Sequence, residues 1–145
     1  MGVLYIEKSL LSEMVANVES FPEEQCGFLF GYKTLEDRII TKTRVAENVS
    51  QGDKHRRFEI APKDYLTAEN FAEKNDLHLL GIYHSHPNHA AVPSELDRSA
   101  AQPDFSYVII SIINKKFAAI RSWRLNNAFQ FEEEKINDHP IHQFT

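Results

Sequence analysis

Leu11, Met14, Val15 and Val18 recur at three- and four-residue spacing near the start of the chain, the period of one face of an α-helix. Ser9 stands ahead of them as an N-cap, and Pro22 closes the segment because it has no amide hydrogen to continue the ladder. Strand-like runs follow, predicted over Gln25 to Tyr32 and Arg38 to Glu47, with Thr34-Leu35-Glu36-Asp37 as the turn between them. The polar stretch from Asn48 to Arg56 reads as loop. Pro62 suits the first turn of a second helix, with Tyr65, Ala68, Phe71 and Ala72 on its inner side. The apolar run Leu79 to Tyr83 leads a further strand into His84-Ser85-His86-Pro87. A short helix is predicted over Glu95 to Ala101, then strands near Ser106 to Ile113, Phe117 to Leu125 and Ala128 to Glu134, with Asn126-Asn127 as the last hairpin turn. From Asp138 onward, through Pro140, the chain is expected to fray. The pattern is that of a mixed α/β domain without repeats, low-complexity segments or linkers.

Composition narrows the functions open to such a domain. With 145 residues the chain builds one core, with little room for appended modules, and 42% hydrophobic residues exclude disorder as the default. Sixteen basic against 21 acidic side chains give a formal charge of −5, which offers no electrostatic footprint for nucleic acid. The one run of like charge, Glu132-Glu133-Glu134, reads as a solvated face. Cys26 is the single cysteine, so no intrachain disulfide forms and nothing calls for an oxidising compartment. The first residues carry no basic leader, and no stretch approaches transmembrane length, so no membrane partner is expected and the cytoplasm is the expected location.

The chemistry is concentrated in one stretch. In an extended strand alternate side chains share a face, so His84 and His86 point the same way. Seven residues after Pro87 comes Ser94, and three after that Asp97, a hard oxygen donor. Two imidazoles and a carboxylate form a three-ligand set with one position left for water, the arrangement that separates catalytic from structural zinc. Ser94 and Asp97 also have the spacing of a helix capping box with a short acid. Upstream, Glu24 stands at the mouth of the apolar run from Cys26 to Gly31, and a water-activating base is what such a ligand set lacks.

Glu24 ahead of Cys26-Gly27, His84-x-His86, the seven residues Pro87 to Pro93, and Ser94-x-x-Asp97 together resemble the JAMM (MPN-plus, Mov34/PAD-1) metalloprotease motif. The resemblance spans nearly the whole chain and implies a single domain over residues 1–137, with 138–145 as a flexible tail. It implies the JAB/MPN, cytidine-deaminase-like fold, a mixed and mostly antiparallel sheet flanked by helices. It further implies zinc held by His84, His86 and Asp97, Glu24 as general base, and Ser94 as a stabiliser of the oxyanion. None of these positions departs from the pattern. Arg57-Phe58-Glu59-Ile60-Ala61-Pro62, Asn88-His89 and Arg98 make the chain most similar to small bacterial members that act on ubiquitin-like sulfur carriers. The expected partner is then a carrier with a Gly-Gly C-terminus, cleaved after its last glycine to release cysteine.

Other readings of a metal site meet the letters less well. One cysteine cannot supply the Pro-Cys-x-x-Cys of a zinc nucleobase deaminase, and no His-Glu-x-x-His helix is present. A deubiquitinase-like protease, a DNA-repair-associated relative and a non-catalytic MPN-type scaffold stand as alternatives. The acidic charge disfavours the second, and the third leaves Glu24 and Ser94 without purpose. Cys26 reads as a small buried hydrophobe, Trp123 as core or edge packing, and His89 as a solvated loop residue that could touch substrate. His55, His78, His139 and His142 show no ligand spacing.

Overall fold

The computed structural model describes residues 2–139. Seven strands and three helices follow in the order β1 (Val3–Ile6), α1 (Lys8–Val18), β2 (Cys26–Lys33), β3 (Arg38–Ala46), α2 (Pro62–Lys74), β4 (His78–Pro87), α3 (Glu95–Ala100), β5 (Ser106–Ile113), β6 (Lys116–Leu125) and β7 (Phe131–Asn137). The strands pair in the order β1-β3-β2-β4-β5-β6-β7, and β7 returns to β1 to close the ring. Neighbours are antiparallel at β2/β3, β2/β4, β5/β6 and β6/β7, and parallel at β1/β3, β4/β5 and β1/β7. The sheet is thus mixed and mostly antiparallel, as the motif implied. No helix among the described residues is long and apolar enough to cross a membrane.

Period-2 alternation divides the interior into two clusters. On one side Met14 and Val18 of α1 meet Leu4, Ile6, Leu29, Ile40, Tyr83, Val108 and Ile110. On the other, Ala68 and Ala72 of α2 meet Phe28, Phe30, Ile60, Ile82 and Tyr107. Small residues on α2 let it lie close to the sheet, with Tyr65 and Phe71 packed at the margin. Ile82 belongs to the α2 side, so His84 and His86, two and four residues on, emerge on that side at the end of β4. Tyr83 faces the other way, and its ring lies so near Gly27 that a Cβ there would come within 2.4 Å of it.

Several boundaries differ from the periodicity. Ser9 is not the cap of α1. The helix begins at Lys8 with Glu7 at the N-cap and no side-chain cap, and the Lys8 amide instead donates to the carbonyl of Asp138. That bond is tertiary and invisible to local spacing. The strand β1 is too short to show alternation, yet it fills the gap between β3 and β7. The β6–β7 connection is longer than a two-residue hairpin. Asn126 accepts with its side chain from the amides of Ala128 and Gln130, Phe129 takes a φ of 57°, and β7 starts at Phe131 rather than Ala128. Glu134 is also not part of a solvated face. Glu132 and Glu133 are exposed, but Glu134 points inward and pairs with Arg124. Of the tail expected to fray, Asp138 and His139 are described, while residues 140–145, with His142, lie outside the described residues.

Candidate metal centre

Three segments deliver four polar side chains to one point. β4 lies between β2 and β5, where burial on both faces favours its long apolar run, and it carries His84 and His86 out at its C-terminal end. Cys26 sits opposite His84 in the register. The pairing continues one residue beyond β2, because the Ser85 amide donates to the Gln25 carbonyl at 2.9 Å and the Gln25 amide to Ser85 Oγ at 2.9 Å. Glu24 is thereby drawn alongside His86. Its own amide donates to the Lys54 carbonyl, and its carbonyl accepts from Asn48 Nδ2. Asp97 arrives on α3, whose start is a reciprocal capping box. Ser94 Oγ accepts from the Asp97 amide at 3.0 Å, and Asp97 Oδ2 accepts from the Ser94 amide at 2.9 Å.

Ligand-type atoms of Glu24, His84, His86 and Asp97 all lie within 4.8 Å of one another. The two Nε2 atoms are 3.1 Å apart, and Asp97 Oδ2 is 3.3 Å from that of His84 and 3.1 Å from that of His86. All four are sequestered, with Glu24 2% exposed and His84 fully buried. His86 Nδ1 is 2.8 Å from the carbonyl of Ala90, which can only accept, so the hydrogen sits on Nδ1 and the lone pair on Nε2 faces the cluster. Phe58 stacks on His84 at 4.4 Å between ring centres and fixes its plane.

The electrostatics follow from burial. Burial pushes the Glu24 carboxyl up to about 8, against a smaller opposing pull from His86. Burial holds His84 below the ordinary imidazole range, so its nitrogen is a neutral donor. For His86 burial acts in the same sense, but Asp97 and the Ala90 carbonyl outweigh it and the ring is raised. Asp97 is kept ionised despite its burial by the two imidazoles and the Ser94 amide. Within contact distance this set holds two carboxyl groups and no fixed cation, and Glu24 Oε1 is buried without a hydrogen-bond partner. Two imidazole nitrogens and carboxylate oxygens of this kind fit a divalent transition ion.

The structure brings Glu24, His84, His86 and Asp97 together and places Ser94 beside them as the cap of α3, on the wall of the same cavity as Glu24 and His86. Accepting from Asp97 uses a lone pair and leaves the hydroxyl hydrogen free to donate. Cys26 is buried, and burial chiefly pushes its thiol up to about 12. Four residues gain roles that periodicity did not show. Phe58 supports His84; Trp123 donates through Nε1 to the Ala91 carbonyl at 3.0 Å and, with Ser111 Oγ on the His89 carbonyl, fastens the loop between the ligands. Arg56 lines a cavity of about 480 Å³ with Glu24, His86, His89, Ser94 and Leu96. A second cavity, of about 250 Å³, lies behind His84 and Asp97 against Phe58, Tyr65 and Tyr107. The spacing of Arg56 gave no signal, since a charged loop residue is the ordinary case.

Comparison with known proteins agrees with this geometry. The chain is 33% identical over 137 residues to a desampylase of Pyrococcus furiosus, covering 93% of this chain and 90% of that protein. It is 30% identical over 135 residues to the CysO-cysteine peptidase of Mycobacterium tuberculosis, covering 90% and 88%. It is 33% identical over 108 residues to a probable TtuB-protein conjugate cleaving protease of Thermus thermophilus, covering 74% and 69%. A solution structure of a Desulfitobacterium hafniense protein matches with a TM-score of 0.82 at 30% identity, over 97% of this chain and 96% of that one. The family described as prokaryotic homologs of the JAB domain matches residues 7–126, and with the fold and the four converging side chains in hand, the chain belongs to that family.

Proposed function

We propose that the chain is a zinc-dependent peptidase of the JAMM type, acting in the cytoplasm through one domain over residues 1–137. It hydrolyses the amide bond after the C-terminal Gly-Gly of a ubiquitin-like sulfur-carrier protein and releases cysteine. The observation that carries the reading is the convergence of His84, His86 and Asp97 with the buried, proton-retaining Glu24 on the wall of an accessible cavity. His84, His86 and Asp97 would hold the ion. When bound, zinc would polarise the scissile carbonyl and bring the pKa of water from about 15.7 toward 7.

The remaining steps belong to the chain's own residues. Glu24 takes a proton from the attacking water and later delivers it to the leaving nitrogen. Burial holds this carboxyl up to about 8 in the metal-free fold, and a cation bound beside it would lower it toward neutral pH, where a general base works best. The Ser94 hydroxyl donates to the carbonyl oxygen as negative charge develops there. No side chain attacks the substrate, so no acyl-enzyme forms.

The substrate class rests on the relatives and on the shape of the site. Relatives over most of the chain are named as a desampylase, a TtuB-conjugate protease and a CysO-cysteine peptidase. The loop from Asn88 to Pro93 is short and tied back by Trp123 and Ser111, with no insertion to grip a second ubiquitin unit. Glu59 pairs inward with Asn48 and Val49, whereas the amides of Phe58 and Ile60 make no backbone hydrogen bond among the described residues. An extended glycine tail could add there and approach the ligands closely. Mass spectrometry on a carrier–cysteine conjugate should show loss of one cysteine residue, blocked by a chelator. An intact conjugate together with efficient cutting of ubiquitin dimers would replace this reading by a deubiquitinase-like one, and inactivity on both by a binding scaffold.

A further inference from the structure

We propose that Arg56 selects the leaving group by binding the α-carboxylate of an amino acid joined to the carrier through its α-amine. The inference rests on the peptidase reading above and names the residue that would recognise the free carboxylate of the released amino acid. Glu24, His86 and Ser94 open into the same cavity as Arg56. Glu24 returns its proton to the leaving nitrogen, so that nitrogen lies in this cavity. In an α-amino-acid adduct the carboxylate is attached to the carbon next to the nitrogen and enters with it. A lysine side chain leaving from an isopeptide brings no such charge.

The charge of a bound ion would be matched by Asp97 and the scissile carbonyl oxygen, so a carboxylate that enters on the leaving-group side, beside Glu24, is favoured by a cation of its own. Arg56 is the one fixed cation among the residues lining the cavity. Its position is tied to the base. The Arg56 amide donates to the Asp53 carbonyl at 3.0 Å, closing a turn, and the Lys54 carbonyl in that turn accepts from the amide of Glu24 at 2.7 Å. The guanidinium is also available. Among the described residues its ion contact is Asp53 Oδ2 at 4.0 Å, between side chains 77% and 55% exposed, and pairs of that kind hold weakly. The planar fork of arginine matches a carboxylate with two parallel hydrogen bonds. Its neighbour Arg57 lies over Gly52 and lines the second cavity instead.

The test uses two carrier conjugates that differ only in the cysteine, one with a free carboxylate and one with a C-terminal amide. The zinc-loaded wild type should favour the free acid in kcat/KM by about tenfold or more, the scale of a hydrogen bond to a charged group. Arg56→Ala should bring the ratio close to one, mainly through KM, and Arg56→Lys should restore part of it. Dissociation constants for both conjugates on Glu24→Gln, with and without Arg56→Ala, should show the same loss of preference without turnover. Equal cleavage of the two by the wild type, or a preference that survives in Arg56→Ala, overturns the role of Arg56 while the peptidase reading stands. Failure to cleave either conjugate overturns both.

Discussion

Two groups of buried polar side chains lie in this domain, and they are built on opposite principles. Near the seam where the strand ring closes, Arg38 is buried, and its Nη1 donates to the Leu80 carbonyl at 2.9 Å and to Ser106 Oγ at 3.0 Å. Glu134, also buried, accepts from Ser122 Oγ at 2.6 Å and is in contact with the Arg124 guanidinium. Cations and anion are both supplied by the chain. At the end of β4 the burial is similar, but Glu24 and Asp97 meet only imidazoles, one of them held neutral, and Glu24 Oε1 has no partner. A buried polar cluster is therefore not by itself a sign of function. The difference lies in whether the chain provides the counter-charge, and a set of donors lacking it is suited to an added cation.

The strongest way to break the comparison is to remove donors from the second group. His84→Ala and Asp97→Ala should each lose zinc, measured as metal content of protein purified without added metal, and with it all turnover. Full occupancy in either variant would refute the ligand assignment. Glu24→Gln should keep zinc while turnover falls by about 10²–10⁴-fold, the usual contribution of a general base. Loss of zinc there would make Glu24 a ligand instead.

The first group should answer with stability and not with metal. Glu134→Ala leaves Arg124 and Arg38 without their shared anion, at a cost of about 3–5 kcal/mol in denaturant unfolding, as for other broken buried pairs. Its folded fraction should bind zinc as the wild type does. Metal loss from correctly folded Glu134→Ala would mean that the two groups are coupled.

Ser94 stands at the border between structure and chemistry. Its hydroxyl caps α3 and also lines the cavity. Ser94→Ala should reduce turnover by an amount equivalent to about 2.7–4 kcal/mol if the hydroxyl is a direct oxyanion donor. Loss of the cap alone costs about 0.5–2 kcal/mol of stability. A variant with normal turnover and lowered stability would leave Ser94 as a cap only.

Much of the second group could be read from the letters because its geometry is local. His84 and His86 share a strand face by period 2, and Ser94 and Asp97 share a helix start by a capping spacing, so each pair is set within a few residues. Glu24 stands out in the letters only as an acid at the mouth of a strand, and the resemblance alone ties it to the ligands, since it comes to His86 by way of β2–β4 pairing some 60 residues apart in sequence. The first group was hidden for the same reason in stronger form. Glu134 looked solvated beside Glu132 and Glu133, and nothing local announced that Arg124 lies on its inward side. Strand β1 escaped because four residues carry too little periodicity, and the start of α1 because its first amide is satisfied by the far end of the chain. Trp123 is half-buried on β6, and its indole N–H on Ala91 depends on a contact across the fold.

The subtlest test asks whether the second group truly lacks a counter-charge. In the metal-free protein the Glu24 carboxyl keeps its proton up to about 8, whereas its ordinary value is 4.5. Between those values the folded chain binds more protons than the unfolded one, so the free energy of unfolding falls as pH rises, by at most about 1.4 kcal/mol per pH unit for one proton. His86, raised in the fold, acts in the same sense around and above the ordinary imidazole value, and His84, lowered, acts in the opposite sense below it. Subtracting the same measurement on Glu24→Gln removes the terms common to both proteins. Metal-free wild type should lose stability relative to Glu24→Gln from about pH 5 to about pH 7.5, read by urea unfolding. Saturating zinc favours the carboxylate and should flatten that difference. Parallel pH profiles for the two metal-free proteins would show that Glu24 is already ionised in the fold, and that the chain itself supplies the charge that the proposed site is built to take from a metal.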